Sequence, residues 1–142
     1  MLFKLLSATD PARIDSSVIS LIPGGELREP IERLGVPVRD LKLRRGSGDP
    51  IALWRLARML RSENPDLVQT WMYHADLIGA LVKPWLGHTP LCWNLRHSDF
   101  DWQASNAGIR RVVSLCAQLS RIAPRRIVCC SEQTRIVHSR LG

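Results

Sequence analysis

The run Asn64-Pro65-Asp66-Leu67-Val68-Gln69-Thr70-Trp71-Met72-Tyr73-His74-Ala75-Asp76-Leu77-Ile78-Gly79 decides how the rest of the chain is read. After the Asn-Pro-Asp turn, residues 67–71 form a short β-branched and aromatic run, which predicts a strand. From Ala75 the pattern becomes almost wholly apolar, and it predicts a deeply packed helix over 75–86. Pro84 inside that helix is expected to kink it. Residues 90–95 then read as another strand. A strand, a helix and a strand in this order form a βαβ crossover, and such crossovers build parallel sheets.

The same alternation extends in both directions. Upstream, residues 1–8 read as a helix with Leu2, Leu5 and Leu6 on its apolar side, ended by Thr9-Asp10-Pro11. Residues 17–22 are a strand, and Pro23-Gly24-Gly25 is a turn. Residues 26–34 form a short helix with Leu27, Ile31 and Leu34 on one stripe and Gly35 as its stop. Residues 36–41 are a second strand, and Arg45-Gly46-Ser47-Gly48 is a loop. Asp49 and Pro50 then read as N-cap and first residue of a helix through Glu63, with Leu53, Leu56, Ala57 and Leu60 inward.

Downstream, residues 98–106 read as a polar loop, and Ile109, Val112, Val113 and Cys116 are the core stripe of a long helix. Residues 126–130 are the last strand, and Ser131 caps a helix over 132–141. The fold class is therefore α/β: a Rossmann-like parallel sheet with helices on both faces, in one domain spanning 1–142.

Composition supports this reading. The chain has 142 residues, 45% hydrophobic and 23% charged, as expected of one ordinary globular domain. No apolar run approaches the roughly 18 to 20 residues of a membrane span. Residues 1–6 are too short for a signal-peptide core. Four cysteines are too few for a secreted disulfide scaffold. Cys92, Cys116, Cys129 and Cys130 include no Cys-x-x-Cys pair and have no histidine at zinc-finger spacing, so they read as buried thiols in a reducing cytoplasm, and no metal is expected. The formal charge of +7 comes from 17 Arg and 3 Lys against 13 acids. That excess suits solvated helix faces, or a surface that leans on phosphates or anionic headgroups.

In parallel α/β sheets ligands bind beyond the C-terminal strand ends, which directs attention to four segments. His97 follows the strand 90–95, with Arg96, Ser98 and Asp99 around it. Imidazole and guanidinium at a strand exit bind phosphate or polarise a hydroxyl, although a lone histidine on a surface loop has the same local sequence. His74 opens the helix after the strand 67–71, where free N–H groups favour anions; the alternative is a partner for a backbone carbonyl. Trp71, Tyr73 and Trp93 are able to stack on a sugar or base, but aromatics on strands are more often core. Gly24 and Gly25 lack any phosphate-loop pattern, and no Gly-x-Ser-x-Gly elbow occurs. His88 and His138 have no supporting context and read as surface residues.

The quoted run 64–79, Trp93-Asn94-Leu95-Arg96-His97-Ser98, and Arg126-Ile127-Val128-Cys129-Cys130-Ser131-Glu132 together resemble the N-terminal domain of family-four glycosyltransferases. The resemblance covers nearly the whole chain. It implies one half of a GT-B fold, the acceptor side of a retaining transferase. Such enzymes move a sugar from a nucleotide-sugar donor to a glycan or lipid-linked acceptor, often in polysaccharide or lipopolysaccharide biosynthesis. Carried over by position, His97 matches the catalytic histidine at the fifth strand exit. Arg96 and Ser98 are its neighbours, His74 with Asp76 matches a fourth-strand motif, and Ser131 with Glu132 matches the helix start after the sixth strand. These six are the candidate substrate-binding residues. No cofactor is implied beyond the donor substrate itself.

In that family the domain opens with a strand and a Gly-Gly-Ala-Glu loop, and the nucleotide-sugar site carries a Glu-x7-Glu motif in a following domain. Neither motif occurs in this sequence. The chain is thus expected to be an incomplete acceptor-side domain without the family's first strand, and inactive as it stands. The gap between strands 17–22 and 67–70 must then be closed, filled by a partner strand or a second copy, or left unstable. The resemblance implies a cytoplasmic protein at the inner face of the plasma membrane, in contact with anionic lipid and not with nucleic acid. A basic Rossmann-type module for nucleic acid or a protein partner is the competing reading.

Overall fold

A computed structural model of the chain describes residues 1–43, 49–96 and 105–140. In order along the chain it has α1 (Leu2–Ala8), β1 (Val18–Ser20), α2 (Arg28–Glu32), β2 (Val38–Asp40), α3 (Pro50–Glu63), β3 (Val68–Trp71), α4 (Tyr73–Val82), a 3₁₀ turn (Lys83–Trp85), β4 (Leu91–Leu95), α5 (Ala107–Leu119), β5 (Arg126–Cys129) and α6 (Glu132–Ser139). All strand pairings are parallel, and helices flank the sheets, giving an α/β, Rossmann-like architecture. The chain divides into two compact units, Met1–Ala52 and Leu53–Gly142. The glycine loop expected at 45–48 and positions 98–104 of the polar loop lie outside the described residues.

In the first unit β1 and β2 form a two-stranded sheet with Val18 opposite Val38 and Ser20 opposite Asp40. Arg28 ties α2 to this sheet: its guanidinium pairs with Asp40 and donates to the Val38 carbonyl at 2.8 Å. Gly35 stops the α2 segment with φ of +81°, a left-handed conformation that glycine adopts without strain. The expected stripe of Leu27, Ile31 and Leu34 is corrected here. Only Ile31 is buried, because regular helix is confined to Arg28–Glu32 and the two leucines flank it.

In the second unit the sheet order is β3-β4-β5, with Thr70 opposite Trp93 and Trp93 opposite Ile127. β4 is central, and all five of its residues are buried. Leu91, Trp93 and Leu95 meet Tyr73 and Ala80 of α4 and Val113 and Cys116 of α5 in one core. Caps follow the expected residues: Asp49 Oδ1 accepts from the Ile51 amide at 3.0 Å, and Ser131 Oγ from the Thr134 amide at 3.1 Å. Asn106 caps α5 in the same way, accepting from the Ile109 amide at 2.9 Å. Pro84 does not kink α4 but ends it. Its ring nitrogen has no hydrogen to give the Ala80 carbonyl, and the chain tightens into the 3₁₀ turn.

The expected single sheet is two sheets among the described residues. There β1 pairs with β2 alone and β3 with β4 alone, so β1 and β3 are both edge strands. No described helix is long and apolar enough to cross a membrane.

Gly79 sets how closely α4 approaches the sheet. A Cβ there would lie 2.8 Å from Thr70 Cγ2 and 3.2 Å from Leu91 Cδ1, both on buried side chains. Gly79→Ala should therefore destabilise by about 1–3 kcal/mol through overpacking, although alanine is worth about 1 kcal/mol more than glycine in an open helix. Urea unfolding measures it. An alanine variant at least as stable as the parent would contradict this close approach.

Candidate functional site

The three parallel strands of the second unit end side by side, and their exits carry most of the residues singled out from sequence. After β3 the chain passes Met72, which has φ of +79°, and enters α4. A methionine in that region is strained, and the strain buys an abrupt turn from strand into helix. His74, exposed in the first turn of α4, stands at this exit. After β4 comes Arg96, whose guanidinium lies over the Trp71 ring at 5.5 Å and joins the β3 and β4 exits. After β5 comes Cys130, whose thiol donates to the Arg96 carbonyl at 3.6 Å and joins the β4 and β5 exits.

Ser131 and Glu132 begin α6 at the same end of the sheet. The Ser131 hydroxyl is engaged as the helix cap. Glu132 accepts from Arg135 through both carboxylate oxygens, at 3.0 and 2.9 Å from Nε, and this pairing holds its carboxyl below the usual range. His97 and Ser98 follow Arg96 directly and lie outside the described residues. The structure therefore brings Arg96, His74, Ser131 and Glu132 to one end of one sheet.

Asp76 is different in kind. Its side chain is fully buried, Oδ1 accepts from the Thr70 hydroxyl at 2.5 Å, and Oδ2 has no partner among the described residues. Burial pushes its carboxyl up from 3.8 to about 7, against the opposing Thr70 hydrogen bond. Asp76 ties the first turns of α4 to β3 beneath His74, and does not itself reach solvent.

Two residues escaped the sequence reading. Cys130, expected in the core with Cys92 and Cys129, is exposed. Its thiol lies 3.1 Å from the Thr134 hydroxyl, and hydrogen bonds from Thr134 and then Ser131, with the charge of Arg96, pull it below its ordinary value. Its position directly before the helix cap was the available signal, since that residue has already left the strand. His138, expected at the surface, is half-buried. Its Nε2 lies 2.6 Å from the Tyr73 hydroxyl and its Nδ1 2.8 Å from the Thr134 carbonyl. Because a carbonyl only accepts, Nδ1 carries the hydrogen, and Tyr73 donates to Nε2. The pair borders a cavity of about 230 Å³ between β4, β5, α5 and α6, lined also by Trp93 and Cys116. Burial lifts both the Tyr73 hydroxyl and the Cys116 thiol to about 12, so both stay protonated. Among the described residues no three His, Cys, Asp or Glu side chains come together as metal ligands.

A parallel α/β unit that gathers arginine, histidine and hydroxyl groups at its strand exits has the form of a ligand-binding Rossmann-like domain. The glycosyl transferase 4-like domain model matches residues 4–142, and the chain belongs to that family. No curated protein matches it.

Proposed function

We propose that the chain is the acceptor-side domain of a retaining glycosyltransferase. It helps move a sugar from a nucleotide-sugar donor to a glycan or lipid-linked acceptor, in polysaccharide or lipopolysaccharide assembly at the cytoplasmic membrane face. The observation that carries this reading is the convergence of Trp71, Arg96, His74 and Ser131 on one end of the β3–β4–β5 sheet in a member of this family. Such transfer needs no protein nucleophile in this domain. The protein has to hold the leaving diphosphate and orient the acceptor hydroxyl, and a site rich in positive charge and hydrogen-bond donors does both. Arg96, with its guanidinium over the Trp71 ring, supplies a positive charge beside the exit. His97 follows it and acts on the reacting groups. His74 and Ser131 border the acceptor, and Asp76 is a positioning residue for the turn that bears His74. The donor is a substrate and no cofactor takes part. The basic surface, at a net charge of +7, makes a peripheral contact with anionic lipid.

The test is the full-length gene product assayed for nucleotide release from UDP- and GDP-sugars in the presence of glycan and lipid acceptors. His97→Ala should lower transfer by about 10², the usual loss of one positioned group that stabilises developing charge. The melting temperature should stay within a few degrees, because the proposed role of His97 is with the substrate and not in packing. A stable variant with near-parental rate would remove His97 from the site. Tight duplex DNA binding without any transfer would favour the basic binding-module reading instead.

A further inference from the structure

We propose that the end of the β3–β4–β5 sheet opposite the strand exits is a docking surface for an anionic lipid bilayer. Trp85 and Ile122 form its apolar centre, and Lys83, Arg121, Arg125 and Arg126 surround them. This rests on the peripheral membrane contact proposed above and assigns it a place.

β4 and β5 are adjacent and parallel, so the turns that enter them lie side by side at one end of the sheet. The first turn follows α4 and the second follows α5, and these two helices pack against each other. Each turn presents one large apolar side chain outward: Trp85 is 54% exposed and Ile122 is 80% exposed. Neither sits on a slack loop. Leu86 and Ala123, the residues next to them, are buried. The first turn is closed by the Leu86 amide to the Lys83 carbonyl at 3.0 Å and by Lys83 Nζ to the Gly87 carbonyl at 3.0 Å. The second is closed by the Ala123 amide to the Leu119 carbonyl at 2.9 Å and pinned to β4 by the Arg125 amide to the Leu91 carbonyl at 2.8 Å. The two side chains are thus held out in water by ordered backbone.

Their surroundings are uniformly basic. No acidic residue occurs in 77–96 or 105–131. Arg121, Arg125 and Arg126 are exposed and make no ion pair among the described residues. The acids at this end of the sheet, Glu63 and Asp66, precede β3, one strand beyond β4. An exposed tryptophan and an exposed isoleucine within a basic ring match the chemistry of a bilayer surface: indole settles at headgroup depth, the aliphatic side chain enters the acyl boundary, and the cations meet anionic headgroups. Nucleic acid would engage the cations and leave Ile122 without a role. The surface also faces away from the strand exits, so docking leaves the candidate site open.

Vesicles of phosphatidylcholine with and without phosphatidylglycerol provide the test. The protein should sediment with the anionic vesicles at low salt, release at high salt, and ignore the neutral ones. Brominated phosphatidylglycerol should quench tryptophan fluorescence, and Trp85→Phe should remove that quenching. Arg121→Glu with Arg125→Glu should weaken binding at least about tenfold, given about fivefold for each charge near the surface. Trp85→Ala with Ile122→Ser should weaken it by a similar factor while leaving the melting temperature in place. If the parent binds anionic vesicles and both double variants bind equally well, the surface is elsewhere, although the peripheral contact itself stands. Equal binding of the parent to neutral and anionic vesicles would remove both. Tighter binding to duplex DNA than to anionic vesicles would also overturn the docking surface.

Discussion

Trp93→Ala is expected to destabilise the protein by about 3–5 kcal/mol, the range for removing a large aromatic from a packed core. Trp93 is 2% exposed at the centre of β4, the central strand, and it shares one core with elements on both sides in sequence: Tyr73 and Ala80 of α4, Val113 and Cys116 of α5. A cavity of about 230 Å³ already lies beside the ring, so truncation would enlarge it. A loss of that size is a large part of the roughly 5–15 kcal/mol that holds a domain together, so the variant should be partly unfolded at ambient temperature. Trp93→Phe should cost less than the alanine change, because most of the aromatic volume stays in the core and a smaller void is left. The indole Nε1 is buried with no acceptor among the described residues, so the phenyl ring loses area but also relieves an unsatisfied donor. Urea unfolding with an unchanged m-value compares the three proteins. An alanine variant within about 1 kcal/mol of the parent would show that this residue does not organise the core.

How far the sequence could be read divides along the range of the physics involved. Strands β3, β4 and β5 and the caps of Asp49 and Ser131 depend on alternation, turns and side-chain reach within four residues, and they emerged close to the expected boundaries. Trp93 lay open between stacking platform and core, and the structure places it in the core because residues of α4 and α5 pack with it. What was hidden depended on distant partners. His138 meets Tyr73 across 65 positions, a pairing no local pattern announces. Cys130 sits in an apolar run, yet α6 turns away at Ser131 and leaves the thiol at the surface beside Arg96. The site was legible as a set of strand exits, because a parallel topology alone fixes which ends gather. The placement of the Arg96 guanidinium over the Trp71 ring was not, since it requires knowing that β3 and β4 are neighbours.

Asp76 should make the protein lose stability as pH rises from about 4 to 7. Its carboxyl is fully buried, with one oxygen accepting from Thr70 and the other unpartnered among the described residues, and burial lifts it from 3.8 to about 7. Between those values the folded protein holds a proton that the unfolded chain has released, so folding takes up a proton and each step up in pH favours unfolding. Above about pH 7 both states are ionised, and the folded state bears the cost of a buried charge. At 1.36 kcal/mol for each pH unit, the whole window is worth at most about 4 kcal/mol. The nearby Tyr73, Cys92 and Cys116 groups are all raised above their ordinary values and stay neutral throughout, so they add no slope there. Asp76→Asn keeps an oxygen for the Thr70 hydroxyl and carries no charge at any pH. It should therefore be flatter than the parent from pH 4 to 7 and more stable than it at pH 8. Because the histidines are common to both proteins, the difference between the two curves isolates Asp76. Urea midpoints across this pH range decide the matter, and parallel curves for parent and variant would mean that Asp76 is ionised in the folded state and that an interaction beyond Thr70 compensates its charge.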